Sequence, residues 1–137
     1  MRKLTLLILL AVVSNSAMAE WSDVGRNNVA TFYVDYSTIK KARHTVTMWY
    51  LFDYRSPQAG NYLSFKSRAE FECDNQQFKQ DFVSYYAGDM GNGTVRKTEQ
   101  GTHKWVAIPP GSTELILWKA ACLKTPAPVI YPKNSID

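Results

Sequence analysis

The sequence predicts an α+β fold, in which about six strands form a twisted antiparallel meander and one C-terminal helix packs on the sheet. Three observations predict this class. Runs of alternating apolar and polar residues recur between residues 29 and 108, separated by turns rich in glycine, proline and asparagine. One stretch of helical periodicity follows at residues 109–122. The chain has two cysteines, one of which ends that helix, so a disulfide would tie the helix to the sheet.

Residues 1–19 have the organisation of a cleaved signal peptide. Two basic residues precede an apolar run at residues 4–13, and small residues occupy the cleavage positions at Ala17 and Ala19. A retained membrane anchor is the alternative, but the run is short for a bilayer span. No cysteine lies near the cleavage point, so the residue that could carry a lipid is missing. The sequence therefore predicts a soluble periplasmic or secreted product that begins at Glu20 and has no stable membrane anchor.

The exported chain is predicted to form one domain at residues 20–123, followed by a proline-containing flexible tail at residues 124–137. The signal segment holds two of the 16 Lys and Arg residues and none of the 12 acidic residues. The remainder therefore has 14 basic and 12 acidic residues, a net charge of +2. A nucleic-acid partner is not expected, because such proteins concentrate basic charge in a stripe.

Alternation along the chain predicts the strands, after a polar lead-in at residues 20–28. The strongest alternation carries large apolar groups on both faces, which is typical of a central strand. The predicted strands are residues 29–35, 45–55, 62–73, 78–87, 94–99 and 103–108.

Local turn chemistry predicts the connections between these strands. Asp35 is suited to cap a single helical turn over residues 35–39, and an exposed basic turn follows at residues 40–44. Further along, the pair Asn92-Gly93 favours a tight hairpin.

The C-terminal helix has both a start signal and an apolar stripe. Ser112 is suited to the N-cap, and Glu114 complements the positive end of the helix dipole. The stripe is predicted to lie across the sheet, and it consists of Leu115, Trp118, Ala121 and Cys122.

Cys73 and Cys122 fit an oxidising compartment. A bond between them closes a loop of about 50 residues and contributes roughly 4 kcal/mol in the chain-entropy model. Two free buried thiols are the alternative. There is no Cys-x-x-Cys pattern, so redox chemistry is not expected.

No pattern in the sequence predicts catalysis, a metal or a cofactor. The segment Gly111-Ser112-Thr113 lacks the form of a nucleophile elbow. His44 and His103 lie on separate elements, without a ligand partner at helical spacing. The chain is therefore predicted not to be an enzyme. A small hydrolase would need a pocket that joins one histidine to a carboxylate and a hydroxyl.

Two sets of residues are candidates for binding a partner. The aromatic residues of neighbouring strands could form a face for a protein or a sugar, although strands are commonly rich in such residues; they are Trp49, Tyr50, Phe52, Tyr54, Tyr85 and Tyr86. A basic turn and its possible neighbours could recruit an acidic partner, and a solvated surface is the alternative; these residues are Lys40, Lys41, Arg43, His44, Arg55, Lys66 and Arg68.

The order of several short segments resembles the surface-adhesin protein E family over residues 21–123. No single segment is specific, but their sequence and spacing agree as a set. The first half contributes Tyr33-Val34-Asp35, Ile39, Val46, Met48-Trp49, Asp53-Tyr54, Tyr62-Leu63-Ser64, Lys66 and Glu72-Cys73. The second half contributes Tyr85, Tyr86, Met90-Gly91, Gly93, Trp105, Pro110-Gly111-Ser112 and Cys122.

The resemblance implies a bacterial envelope protein with a twisted antiparallel sheet and a C-terminal helix tied by a disulfide. The namesake of the family binds host matrix proteins, so a protein partner such as a host extracellular-matrix protein is expected. Two features depart from the family. The namesake is an outer-membrane lipoprotein, whereas this chain lacks a cysteine for lipid attachment, and Ala42 or Arg43 replaces a family glycine. An inhibitor or housekeeping protein of the periplasm, which binds a small molecule or an endogenous partner, is the alternative function.

Overall fold

The computed structural model describes residues 19–123 as seven strands, one short 3-10 turn and one helix. Residues 1–18 and 124–137, which contain most of the predicted signal peptide and all of the predicted tail, lie outside the described residues. The strands are β1 (Ser22–Arg26), β2 (Ala30–Ala42), β3 (Thr45–Gln58), β4 (Tyr62–Glu72), β5 (Gln77–Tyr86), β6 (Val95–Gln100) and β7 (Val106–Ala107). The 3-10 turn is Asp89–Gly91, and the helix α1 is Thr113–Leu123.

Strands β1 to β6 follow one another across the sheet in chain order, and every neighbouring pair is antiparallel. The predicted meander is therefore confirmed. The seventh strand, β7, pairs with the first residues of β5, while β6 pairs with the second half of the same strand.

Four predicted features differ from the structure. The tight hairpin predicted at Asn92-Gly93 is a longer connection, since β5 ends at Tyr86 and β6 begins at Val95. The predicted polar lead-in at residues 20–28 contains the edge strand β1. This strand was not predicted, because its sequence is polar and includes a glycine. The predicted last strand, residues 103–108, shortens to the two residues of β7, because β6 already occupies the other half of β5. The helical turn predicted at Asp35 is wrong, since β2 continues through it with a register shift between Asp35 and Lys40. Asp35 still accepts a hydrogen bond from the Ser37 N–H at 3.0 Å, as a helix cap would. In the structure this hydrogen bond stabilises a bulge in β2 rather than the start of a helix.

The helix packs on one face of the sheet as predicted. Ser112 accepts the Leu115 N–H at 3.3 Å, which confirms the N-cap. Trp118 is buried and its indole N–H donates to the Glu72 carbonyl on β4 at 2.8 Å. Of the predicted stripe, Leu115 and Cys122 are only partly buried, and the deepest helix positions are Leu117, Trp118, Ala120 and Ala121.

Cys73 and Cys122 form the predicted disulfide, with their Cα atoms 5.6 Å apart. The bond joins the end of the helix to the residue that follows β4. The core lies between this helix and the sheet, and alternate residues of the central strands fill it. Its fully enclosed members include Val34, Val46, Met48, Ala69 and Phe71. The helix therefore packs on one face of the sheet and does not cover the opposite face.

Candidate binding surface on the helix-free face

The sheet face opposite α1, here called the helix-free face, carries the other half of each alternating strand. On β3, Met48 and Tyr50 belong to the core, so Trp49 between them is directed to the helix-free face. On β4 the same alternation directs Lys66 and Arg68 to that face. Trp49 pairs with Arg68 in the sheet register, so an aromatic and a basic residue stand side by side at its centre.

Two irregularities of the sheet flank this central pair. Trp49 is also the register partner of Asp35, the last paired residue before the bulge in β2, and the Trp49 N–H bonds to the Thr38 hydroxyl within that bulge at 3.0 Å. On the other side, Arg68 pairs with Phe82 and the next residue of β4 pairs with Gln80, so Asp81 is the extra residue of a second bulge. Bulges change the direction of side chains and occur often beside functional sites.

A cavity of about 260 Å³ opens beside Trp49, and we call it the Trp49 slot. Its aromatic lining comes from Trp21, Trp49, Phe82 and Tyr86. The rings of Trp49 and Phe82 meet edge to face, with centroids 6.2 Å apart. The ammonium of Lys66 lies 5.1 Å from the centroid of the Tyr86 ring, so one wall of the slot already holds a cation against a π face.

Two largely buried polar residues also line the Trp49 slot. Asp35 is only 3% exposed; one of its carboxylate oxygens accepts the Ser37 hydroxyl at 2.5 Å and the Ser37 backbone N–H. Within residues 19–123, the second oxygen of Asp35 has neither a hydrogen bond nor an ion pair. Ser84 is 5% exposed, and its hydroxyl likewise has no protein partner within the same residues. The slot therefore combines apolar walls with unused polar groups.

A second cavity of about 320 Å³ adjoins the slot and shares Thr38 and Trp49 with it. We call it the Arg68 cleft. Lys40 and Asp81 line it together with Arg68, whose Nε lies 3.7 Å from a carboxylate oxygen of Asp81. Together the slot and the cleft form one continuous surface around Trp49.

The 3-10 turn that follows β5 marks the limit of this surface. Two hydrogen bonds to the sheet hold its backbone in place. The Met90 N–H donates to Asp53 at 2.9 Å, and the Gly91 N–H donates to the Ser64 hydroxyl at 2.8 Å. A Cβ on Gly91 would lie 2.3 Å from the Lys66 side chain, and the φ of Gly91 is +72°. The positive φ therefore favours glycine at this position, whereas the flexible end of the Lys66 side chain could move away from a Cβ.

The predicted basic residues occupy three places in the structure. Lys40, Lys66 and Arg68 line the surface around Trp49. Lys41, Arg43 and His44 stay at the β2–β3 hairpin, where Lys41 pairs with a core residue and so points to the helix side. His44 lies 2.7 Å from Asp74. Arg55 is at the far end of β3, where it donates to the Asn27 carbonyl at 2.6 Å.

The predicted aromatic residues also separate, since only Trp49 and Tyr86 line the helix-free face. Tyr50 and Phe52 pack with the core. At the far end of the sheet, Tyr62 and Tyr85 line a third cavity of about 420 Å³, here called the tyrosine pocket, which Arg96 also lines.

The tyrosines beside this pocket have perturbed acidity. Burial and the neighbouring tyrosines Tyr62 and Tyr85 raise the pKa of Tyr54 to about 12. Burial and the Glu99 carboxylate raise the pKa of Tyr85 to about 12. Both phenols therefore remain neutral at physiological pH.

The residues of the Trp49 surface that were not among the predicted site residues include Trp21, Asp35, Asp81, Phe82 and Ser84. Alternation along β5 places Phe82 and Ser84 on one face, and the register between strands would have grouped them with Trp49. The position of Asp81 depends on a bulge, and no residue pattern in the sequence marks it. Within residues 19–123, no group of three or more His, Cys, Asp or Glu side chains is arranged to hold a metal ion. The same residues contain no helix that is long and apolar enough to cross a membrane.

The family model described as Surface-adhesin protein E matches residues 21–123. The chain belongs to the surface-adhesin protein E family. Among solved structures, crystal form II of Haemophilus influenzae protein E is similar to this member with a TM-score of 0.55 and 14% identity, over 79% of this chain and 98% of that one. A structure of protein E from non-typeable Haemophilus influenzae gives 0.56 and 15%, over 80% of this chain and 79% of that one. A search of curated proteins gave no match.

These likenesses confirm the predicted family and fold. The matched residues include the whole sheet, the helix and both cysteines. At about 15% identity they describe the architecture alone, so the role of the Trp49 surface has to be argued from its own residues.

Proposed function

We propose that this adhesin E family member is an exported, non-enzymatic module that captures an extracellular protein, such as a host extracellular-matrix protein, on its helix-free face. The observation that carries the proposal is the surface around Trp49, where two bulges expose aromatic and basic residues that neither the helix nor the core uses. Partner proteins bind most strongly to aromatic and arginine side chains at the centre of a contact surface.

The rigidity of the sheet supports this proposal. Trp49 and Arg68 stand on the two central strands, each paired on both sides. A preformed surface loses little conformational entropy on binding, so more of the contact energy remains as affinity.

The charge of the surface favours a partner with acidic groups. Lys40 lines the Arg68 cleft, and Arg43 lies at the adjoining hairpin. In the described part of the chain, neither residue has an ion-pair partner. Unpaired cations at the rim of a contact mainly raise the rate of association, and salt screens their effect.

A binding measurement with purified matrix proteins tests the proposal. Immobilised mature protein that starts at Glu20 is expected to bind at least one of them saturably. Replacing Trp49→Leu is expected to weaken binding about 30-fold, the effect of a central anchor worth about 2 kcal/mol. Lys40→Ala is expected to slow association at low salt, whereas its charge-matched control Lys119→Ala, on the exposed side of the helix, is expected to have no effect.

Circular dichroism spectra must match the parent protein for each variant. The proposal is wrong if no matrix protein binds saturably, or if Lys119→Ala weakens binding as much as Lys40→Ala does.

Export is the second part of the proposal. Cleavage after Ala19 would release the domain into the periplasm or the medium, and removal of Ala19 would also open one end of the Trp49 slot, which that residue lines. Mass spectrometry of the exported protein is expected to give an N-terminus at Glu20. Fractionation then separates the two locations, since a protein confined to the periplasm cannot meet a host protein.

The tyrosine pocket favours a second candidate function, a periplasmic inhibitor or housekeeping protein that binds a small molecule. Its volume of about 420 Å³ falls in the usual range for such ligands. Arg96 and the hydroxyls of Tyr62 and Tyr85 provide polar groups there. A thermal-shift screen of periplasmic metabolites tests it, and Arg96→Ala is expected to remove any shift that depends on this pocket.

A further inference from the structure

The carboxylate of Asp35 lines the Trp49 slot and forms no ion pair with another residue in the range 19–123. Asp35 is 97% enclosed, given its exposed fraction of 3%, and one of its oxygens has no partner within residues 19–123. That oxygen reaches solvent through the slot, because it is not one of the fully buried side-chain atoms that lack a partner, so a cation that enters the slot can bond to it directly. The slot is therefore complementary to a positive group that can enter from solvent.

The aromatic lining of the slot favours the same kind of group. Faces of tryptophan and tyrosine attract ammonium and guanidinium ions through the ring quadrupole. The slot already shows this attraction, because the Lys66 ammonium lies 5.1 Å from the Tyr86 ring centroid. Trp21 and Trp49 line the remainder of the slot, and neither holds a cation among the described residues.

We propose that the Trp49 slot binds the side-chain cation of a lysine or arginine from the captured protein, held by the Asp35 carboxylate and the surrounding rings. This inference rests on the proposed function, and it adds the chemistry that the partner presents. The Ser84 hydroxyl, which has no partner among the described residues, accepts a hydrogen bond from the same cation.

The register of the sheet also shows which charged residue lies near the bound cation, namely Lys40. Asp35 pairs with Trp49 and Lys40 pairs with Thr47, two residues further back along β3. Two residues of a strand span about 7 Å. A partner segment that lies along β3 with a basic residue in the slot places the side chain two positions away near Lys40, where an acidic residue fits. In that orientation the segment has a basic and an acidic residue separated by one position.

Lys66 is an internal competitor in this arrangement. Its ammonium shares the slot with the incoming cation and repels it. Removing that charge strengthens binding if the slot takes a cation, and weakens binding if the slot takes an anion or a carboxylate. The sign of the effect therefore distinguishes the two kinds of ligand.

Indole N–H signals in NMR spectra of the mature protein provide the test. The protein has four tryptophans, and two of them serve as internal controls. Trp118 of the helix is buried against the sheet and Trp105 packs on Lys79, both outside the slot. The probe is the blocked peptide Ser-Lys-Ser-Glu-Ser, compared with the same peptide that has norleucine in place of lysine. The lysine peptide is expected to shift the signals of Trp21 and Trp49 alone and to bind about fivefold more tightly than the norleucine peptide.

Two variants decide the inference. Asp35→Asn keeps the acceptor for Ser37 but removes the charge, and is expected to abolish the preference for lysine over norleucine. Lys66→Met keeps the aliphatic chain and is expected to tighten binding of the lysine peptide about threefold. Should Asp35→Asn fail to fold, Lys66→Met alone still decides the question by its sign.

Equal binding of both peptides, or weaker binding by Lys66→Met, overturns the inference. A neutral disaccharide, lactose, is the further probe, and the slot is a sugar platform instead if lactose shifts Trp49 while the lysine peptide does not. The two proposals fail separately. Matrix-protein capture without any response to the lysine peptide contradicts only the slot assignment, whereas a peptide response without capture contradicts only the proposed function.

Discussion

Removing the Cys73–Cys122 disulfide is expected to destabilise the domain by about 4 kcal/mol. The two residues are 49 positions apart, and in the chain-entropy model a bond across such a loop restricts the unfolded chain by about that amount. The helix that it anchors has only 11 residues, too few to be stable in water without packing. For a domain of this size the loss corresponds to a fall of about 15 °C or more in Tm.

Urea unfolding of a Cys73→Ala/Cys122→Ala variant provides the measurement. Trp118→Phe is the comparison, because it removes the hydrogen bond to the Glu72 carbonyl and part of a buried ring, and is expected to cost about 2 kcal/mol. The variant without the disulfide is expected to lose about twice as much stability as Trp118→Phe. Its folded fraction is expected to bind partners normally, since the bond lies on the face opposite Trp49.

A loss below about 1 kcal/mol for the double alanine variant would refute this reasoning. In that case the helix would be held by its buried residues and by Trp118 alone, and the restriction of the unfolded chain would be negligible. A larger loss in Trp118→Phe than in the double variant would lead to the same conclusion.

Three further predictions concern pH and single residues. The pKa values of Tyr54 and Tyr85 rise to about 12 in the folded state. The two tyrosines therefore contribute fully to stability below pH 10, and this contribution is lost as the pH rises towards 12. The Tm is expected to fall over that range of pH, and to fall less steeply in a variant with phenylalanine at both positions. Gly101→Ala would place a Cβ 1.6 Å from the Gln80 carbonyl oxygen, so urea unfolding is expected to show a loss of about 2 kcal/mol or more. Ser112→Ala removes the helix cap and is expected to cost about 1 kcal/mol in the same assay, with an unchanged value arguing against the cap.

The architecture could be predicted because its signals are local and repeated. Alternation over β3, the glycine-rich turn before β6 and the Ser112 cap each depend on neighbouring residues. The cysteine pairing also agreed, because a chain with two cysteines offers only one intramolecular bond.

The candidate binding surface was harder to predict because it depends on strand register. The sequence suggested Trp49 and Lys66 as candidates, but it also included Arg55, which the sheet places at the opposite end from the basic hairpin. Alternation shows which residues of one strand share a face of the sheet. It does not show which residues of different strands lie side by side on that face.

The bulges explain the remaining errors. Asp35 was interpreted as a helix cap, and the observed hydrogen bonds to Ser37 are of that kind. The chain nevertheless stays in the sheet, because pairing with β3 resumes at Lys40 after the irregular residues. Pairing with a distant strand outweighed a local preference, and this placed Asp35 beside Trp49.

The proposed function assigns separate roles to the two faces of the sheet. One face holds the helix through Trp118 and the disulfide, and the other exposes Trp49 between its two bulges. Substitutions on the first face are expected to change stability, and substitutions around Trp49 are expected to change binding.

Lysine footprinting of the complex tests this division most directly. The mature protein is acetylated with and without a saturating amount of the captured partner, and the modification of each lysine is read by mass spectrometry. The account predicts that the partner protects Lys40 and Lys66 on the helix-free face and leaves Lys119 on the helix unchanged. Protection of Lys119, with Lys40 and Lys66 still fully reactive, would contradict it.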